Sequence, residues 1–317
     1  MNRVERVRAG QTAAIARMIS RIERRSDGVA DELAELHRAG GHAHIVGVTG
    51  AAGSGKSTLV AELTAHYRRA GRTVGVLAVD PSSVFTGGAI LGDRIRMSAL
   101  SGDNGVFIRS IATRGALGGL SRAALDAITV LDAAGKDVIV LETVGVGQAE
   151  VDVISAAQTV AVVSVPGMGD DVQAIKAGLL EIADVHVLNK ADRDGAQKAY
   201  AELRDMLKLA RRTEGGWEVP IQRTVAATGE GVADLVERFD EHRAWMARSG
   251  ELGRRARRTA ATRIRWMAEE IVLDRLRAGQ SEFDREVDRV AELTTDPLHA
   301  ARRLLGESEP LDVMGAS

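Results

Sequence analysis

The sequence predicts an α/β fold with a mainly parallel, doubly wound sheet, a helical extension before it and a helical arm after it. Three observations carry this. Short runs rich in Val and Ile recur at 45–48, 74–79, 138–141, 160–165, 185–188 and near 221–226. They show the weak alternation of strands buried on both faces. Helix-forming stretches at 56–70, 118–134, 170–182, 196–212 and from about Val232 separate most of them, the order that builds doubly wound sheets. At both ends of the chain the pattern is helical alone.

In the first stretch Ile15, Met18, Ile19 and Ile22 fall at i, i+3, i+4 and i+7, one face of a helix. Leu33 and Leu36 mark a second helix, closed near Gly40 and Gly41. Residues 1–41 therefore form the N-terminal extension, and 42–250 the α/β domain. In the arm, 251–317, no strand run follows Arg254, and Ile264, Met267, Ala268 and Ile271 repeat the helical stripe. Residues 306–317 read as a frayed end.

The chain has 317 residues, 45% of them hydrophobic and 27% charged, with a net charge of −2. That balance gives no reason to expect a nucleic-acid or membrane partner. There is no cysteine, which rules out disulfides and thiolate metal sites and fits the cytoplasm. No apolar run nears the ~20 residues that span a bilayer, and the polar start (Asn2, Arg3, Glu5, Arg6) lacks a secretory core.

Directly after the first buried run comes Gly50-Ala51-Ala52-Gly53-Ser54-Gly55-Lys56-Ser57, the pattern G-x-x-x-x-G-K-[ST], leading into a helix near Thr58. The glycines let the backbone aim several N–H groups at phosphate, and the helix N-terminus adds positive potential. Lys56 reaches the β and γ phosphates, and the Ser57 hydroxyl suits Mg²⁺. This is a P-loop NTPase core.

Asn189-Lys190-Ala191-Asp192 closes a later strand, where open α/β sheets meet ligands. The Asp192 carboxylate can accept from guanine's ring N–H and its exocyclic amine; adenine lacks that donor pair. The Lys190 stem can cover the base. The alternative for Asp192 is a helix cap. After the next strand, Val225-Ala226-Ala227 stands where GTPases usually carry a Ser-Ala pair whose backbone touches guanine. GTP or GDP is thus the expected ligand.

Asp80 and Glu142 also follow strands, and carboxylates beside a P-loop are natural Mg²⁺ partners. Lys56, Asp80 and Glu142 form the expected catalytic set. Glu142 replaces the aspartate of the usual D-x-x-G loop, in which Gly145 senses the γ-phosphate. Asp93 lies in a glycine-rich stretch, and Gln148 is a candidate for orienting water. No cis arginine finger is assignable, Arg94 and Arg114 being only candidates, so slow intrinsic turnover is expected. His186, inside an apolar run, reads as core. Arg254, Arg255, Arg257, Arg258, Arg263 and Arg265, followed by Glu269, Glu270 and Asp274, read as a solvated or interface helix.

Together these segments resemble the MeaB/ArgK-type GTPases associated with methylmalonyl-CoA mutase. The matching stretches are 50–58, 80–97 (DPSSVFTGGAILGDRIRM), 117–119, 142–150 (ETVGVGQAE), 166–176 (PGMGDDVQAIK) and 189–192. The resemblance implies a homodimer joined through the C-terminal arm. It implies a G-protein metallochaperone that gates adenosylcobalamin loading and protects or reactivates an acyl-CoA mutase, without binding cobalamin itself. It implies a Mg²⁺ network of Ser57, Asp80, Asp93 and Glu142, and a switch loop in which Asp170 and Lys176 report nucleotide state. Val84-Phe85 and Val225 depart from the family pattern, and the first leaves the choice of mutase open. Two other readings are a metal-delivery accessory GTPase, disfavoured by the lack of Cys or His clusters, and an ATP-dependent small-molecule kinase, disfavoured by Asn189 to Asp192.

Overall fold

The structure, a computed structural model, describes residues 1–80, 102–112, 122–143, 156–167, 182–209 and 216–306. Asp93, Arg94, Arg114, Gly145, Gln148, Asp170 and Lys176 lie outside them, as does nearly all of the helix expected at 170–182. Two compact units make up the chain, Met1–Arg255 and Ala256–Ser317.

The first unit opens with helices α1 (Arg3–Arg8), α2 (Thr12–Glu23) and α3 (Val29–Ala39). Then follow β1 (His44–Gly50), α4 (Lys56–Arg69), β2 (Val74–Asp80), β3 (Val106–Ala112), α5 (Arg122–Ala133), β4 (Val138–Thr143), β5 (Thr159–Ser164), β6 (Val185–Asn189), α6 (Ala196–Leu209), β7 (Ile221–Thr224) and α7 (Val232–Ser249). Among the described residues one seven-stranded sheet forms, in the order β3-β2-β4-β1-β5-β6-β7, and every pairing is parallel. The doubly wound α/β expectation is met. From the central β1 the chain steps to β2 on one side and later to β5, β6 and β7 on the other, so the loop after β1 opens where the winding reverses.

β3 is missing from the strands expected above, because Arg109 and Ser110 interrupt its apolar run. It is an edge strand, and edges tolerate polar residues. The N-terminal extension covers it: Arg109 donates to Ser20 Oγ at 3.0 Å and pairs with Glu23, both on α2. The apolar faces of α2 and α3 point inward, burying Ile15, Met18, Ile19, Ile22, Leu33 and Leu36, and the two helices pack on α5.

On one face of the sheet α4 and α7 place Leu59, Leu63, Tyr67, Leu235 and Phe239 against Val46, Val48, Val74, Val76 and Val140. Each such side chain contributes about 1.5–3 kcal/mol by leaving water.

The amino-terminal edge of the sheet holds a buried polar chain. His44 Nε2 lies 2.8 Å from Thr159 Oγ1, and Thr159 Oγ1 lies 2.9 Å from His242 Nδ1. His242 Nε2 is 3.3 Å from Asp184 Oδ1. One set of tautomers fits the two hydrogen bonds: His44 donates to Thr159 and Thr159 donates to His242, whose Nε2–H faces the carboxylate. Burial pushes His44 down to about 3 and His242 down to about 4, so both rings are neutral in the fold. The unfolded chain takes up protons at the ordinary histidine value of 6.5. Stability is therefore fully present above that value and falls as pH drops from it toward about 4, by roughly 1.4 kcal/mol per pH unit for each histidine. Thermal melts between neutral pH and the onset of general acid unfolding should show this slope. His242→Gln should roughly halve it, leaving the His44 contribution.

The second unit holds most of α8 (Glu251–Ala278), together with α9 (Gln280–Ala291) and α10 (Pro297–Leu305). Asp296 caps α10, accepting from the Leu298 and His299 amides. Within the unit α9 packs on α10, and Arg303 bridges Glu286 at 2.8 Å. The stripe expected from Ile264 to Ile271 is helical, yet Ile264 is 70% and Ile271 69% exposed. No helix among the described residues is long and apolar enough to cross a membrane.

Candidate functional site

The carboxyl ends of β2, β4, β1 and β6 bring Asp80, Glu142, Gly50 and Asn189 to one rim of the sheet. Gly50 ends β1 at φ +139°, and a Cβ there would stand 2.1 Å from the Val163 carbonyl oxygen of β5. Only glycine lets the chain leave the sheet at this angle. The loop turns through Gly53 and Gly55, both at positive φ, and α4 begins at Lys56, the start of the helical stretch expected at 56–70.

Lys56 is buried, and its ammonium donates to the Gly50 and Ala51 carbonyls at 2.7 and 2.9 Å. A cation at a helix N-terminus is unfavourable by itself. Placed with the loop amides, it makes a strongly anion-seeking pocket. Ser57 donates to Glu142 Oε1 at 2.5 Å, and Glu142 sits buried at the end of β4, in register with Val48 of β1 and Ala78 of β2. A hydroxyl beside a carboxylate is the hard oxygen set that Mg²⁺ accepts. Asp80 ends β2 one residue past Val79, which pairs with Thr143. Among the described residues no three His, Cys, Asp or Glu gather as a metal site.

The guanine motif is built as a brace. Asn189 is buried and donates from Nδ2 to the Ser54 carbonyl at 2.8 Å; its Oδ1 accepts from Thr224 Oγ1 and the Ala226 amide, both at 3.1 Å. It thereby ties the phosphate loop to the loop after β7. The fit is close: a Cβ at Gly55 would lie 2.5 Å from Asn189 Nδ2. Lys190, at φ +55°, donates to the Gly53 carbonyl at 2.8 Å, so its stem runs beside the phosphate loop.

Asp192 is exposed, and no hydrogen bond or ion pair engages it among the described residues. Helix α6 begins only at Ala196, so the helix-cap alternative for Asp192 does not hold. Beyond β7, the Val225 amide donates to the Glu230 carbonyl at 3.0 Å and the Ala226 amide to Asn189. Of the three residues expected to offer backbone to guanine, Ala227 keeps an N–H with no partner among the described residues.

A guanine-type motif braced to a phosphate loop on a parallel, doubly wound sheet defines a P-loop GTPase. A family model described as methylmalonyl-CoA mutase-associated GTPase MeaB matches residues 14–281, and the chain belongs to this family. It is 48% identical over 304 residues to a provisionally named GTPase of Pyrococcus horikoshii, covering 95% of this chain and 96% of that one. It is 34% identical over 289 residues to GTPase ArgK of Escherichia coli, covering 89% and 87%. A solved structure described as an LAO/AO transport system kinase superposes with a TM-score of 0.71 at 26% identity, over 96% of this chain and 95% of that one. A mouse protein named methylmalonic aciduria type A homolog, mitochondrial, is 39% identical over 225 residues, covering 70% of this chain and 54% of its own length.

Proposed function

We propose that this GTPase serves an adenosylcobalamin-dependent acyl-CoA mutase as a metallochaperone, gating cofactor loading and protecting or reactivating the mutase. The family match across residues 14–281 carries this reading. In it, 42–250 forms the GTPase domain, 1–41 a helical extension, and 251–317 an arm that joins two copies in the cytoplasm. The exposed apolar side chains of the second unit, among them Ile264, Ile271, Leu293 and Leu298, support self-association, since patches of this kind are usually covered.

Lys56, held at the loop by the Gly50 and Ala51 carbonyls, reaches the β and γ phosphates. The loop amides of 51–57 hold the same oxygens. Ser57 and Glu142, joined by Asp80 and Asp93, would hold Mg²⁺, which would neutralise charge on the phosphates. Gly145 senses the γ-phosphate, Gln148 orients water, and Asp170 and Lys176 relay the state to the mutase.

The test is pull-down of purified methylmalonyl-CoA, isobutyryl-CoA and hydroxyacyl-CoA mutases by this protein loaded with GDP or a non-hydrolysable GTP analogue. One mutase should associate in a nucleotide-dependent way and raise GTP turnover by at least about tenfold. Equal or absent association with all three, in both states, would overturn the chaperone reading.

A further inference from the structure

We infer that the cleft between α1 and α2 is a second anion site, for a small organic ligand carrying two phosphate groups. The cleft has a volume of about 630 Å³, within the range of small-molecule sites. It is lined by Arg3 and Arg6 from α1 and by Arg17, Arg21 and Arg24 along α2 and its C-cap. No residue lining it belongs to the phosphate loop.

The arrangement runs against local helix stability. Arg17 and Arg21 stand at i, i+4, while Arg21 and Arg24, like Arg3 and Arg6, stand at i, i+3. Each like-charge pair costs about 0.2–0.5 kcal/mol. Glu32 alone answers the charge, bridging Arg3 at 3.1 Å and pairing with Arg21. Two nearby acids are engaged elsewhere, Glu5 at the Asn2 amide and Glu23 at Arg109, and Arg21 also donates to the Asp27 backbone carbonyl at 2.7 Å. Among the described residues the guanidinium groups of Arg6, Arg17 and Arg24 have no ion pair or hydrogen bond. Five guanidinium groups against one carboxylate leave an excess of four positive charges. Two phosphomonoesters carry close to four negative charges at neutral pH, and guanidinium forks bind phosphate bidentately. Between the arginines, Ala14 and Ala16 keep the cleft open, and Ser20 adds a hydroxyl.

A membrane surface does not fit. The apolar face of α2 is spent on α5, and an interfacial helix needs that face for lipid. The concave shape favours a compact ligand over an extended acidic chain.

The test uses the full chain saturated with a non-hydrolysable GTP analogue and Mg²⁺, so that the phosphate loop is filled. Adenosine 3′,5′-bisphosphate is titrated by calorimetry, beside adenosine and a hexaglutamate peptide. Saturable binding of one equivalent is expected, with none for adenosine. Arg17→Gln with Arg24→Gln should weaken it by at least about tenfold, and the Glu pair should abolish it. Both variants alter exposed side chains and should bind the GTP analogue as the wild type does, which separates loss of this site from loss of fold or of the GTPase reading. Absence of saturable bisphosphate binding, or equal affinity in wild type and variants, would overturn the inference. Tighter binding of hexaglutamate would overturn it too, in favour of an acidic protein segment.

Discussion

Asp192→Asn should lower affinity for GDP and GTP by about 100-fold and raise that for xanthosine nucleotides. The carboxylate is exposed and uncommitted at the rim, so it is free to accept from the guanine ring N–H and amine. Charge-assisted hydrogen bonds of this kind contribute about 1.5–3 kcal/mol each, and a loss near 3 kcal/mol is roughly 100-fold. An amide offers one donor and one acceptor in place of two acceptors. That pairs poorly with guanine and well with xanthine, whose second carbonyl replaces the amine. Competition binding with GDP and xanthosine diphosphate would read the exchange. If the variant keeps wild-type GDP affinity, Asp192 does not read the base.

Arg255→Ala should destabilise the chain by about 3–5 kcal/mol, the cost of stranding a buried charge. Arg255 grips Asp184 with both terminal nitrogens at 2.7 Å and also donates to the Gln158 carbonyl at 2.6 Å. Asp184, 8% exposed at its side chain, accepts the Val160 amide at 2.9 Å as well. Removing the guanidinium leaves that carboxylate inside the protein beside the neutral His242 ring. Arg255→Lys should recover only part of the loss, because an ammonium cannot form the fork. Urea unfolding, with GDP binding as a check on fold, would measure both. A loss below about 1 kcal/mol would mean that water reaches Asp184 freely.

The parallel sheet was legible because its strands are Val- and Ile-rich and sheathed on both faces. β3 was not, because an edge strand needs no continuous apolar run and Arg109 serves the neighbouring α2. The phosphate loop and the guanine motif could be read because their chemistry fixes residue type at fixed spacing. What Asn189 does could not. Its side chain works across the fold, joining Ser54 to Ala226, and sequence distance hides such a contact. The polar chain from His44 to Arg255 was hidden for the same reason. Its members lie at the starts of β1, β5 and β6 and on two helices, and Arg255 sat within a run that read as solvated.

The brace at Asn189 means that the nucleotide meets a preassembled socket instead of two half-sites that must find each other. Little ordering entropy is then spent on aligning them when ligand arrives. Guanosine alone or triphosphate alone should capture only a fraction of the whole nucleotide's affinity, because the Asn189 brace fixes the two halves together and favours a ligand that spans both.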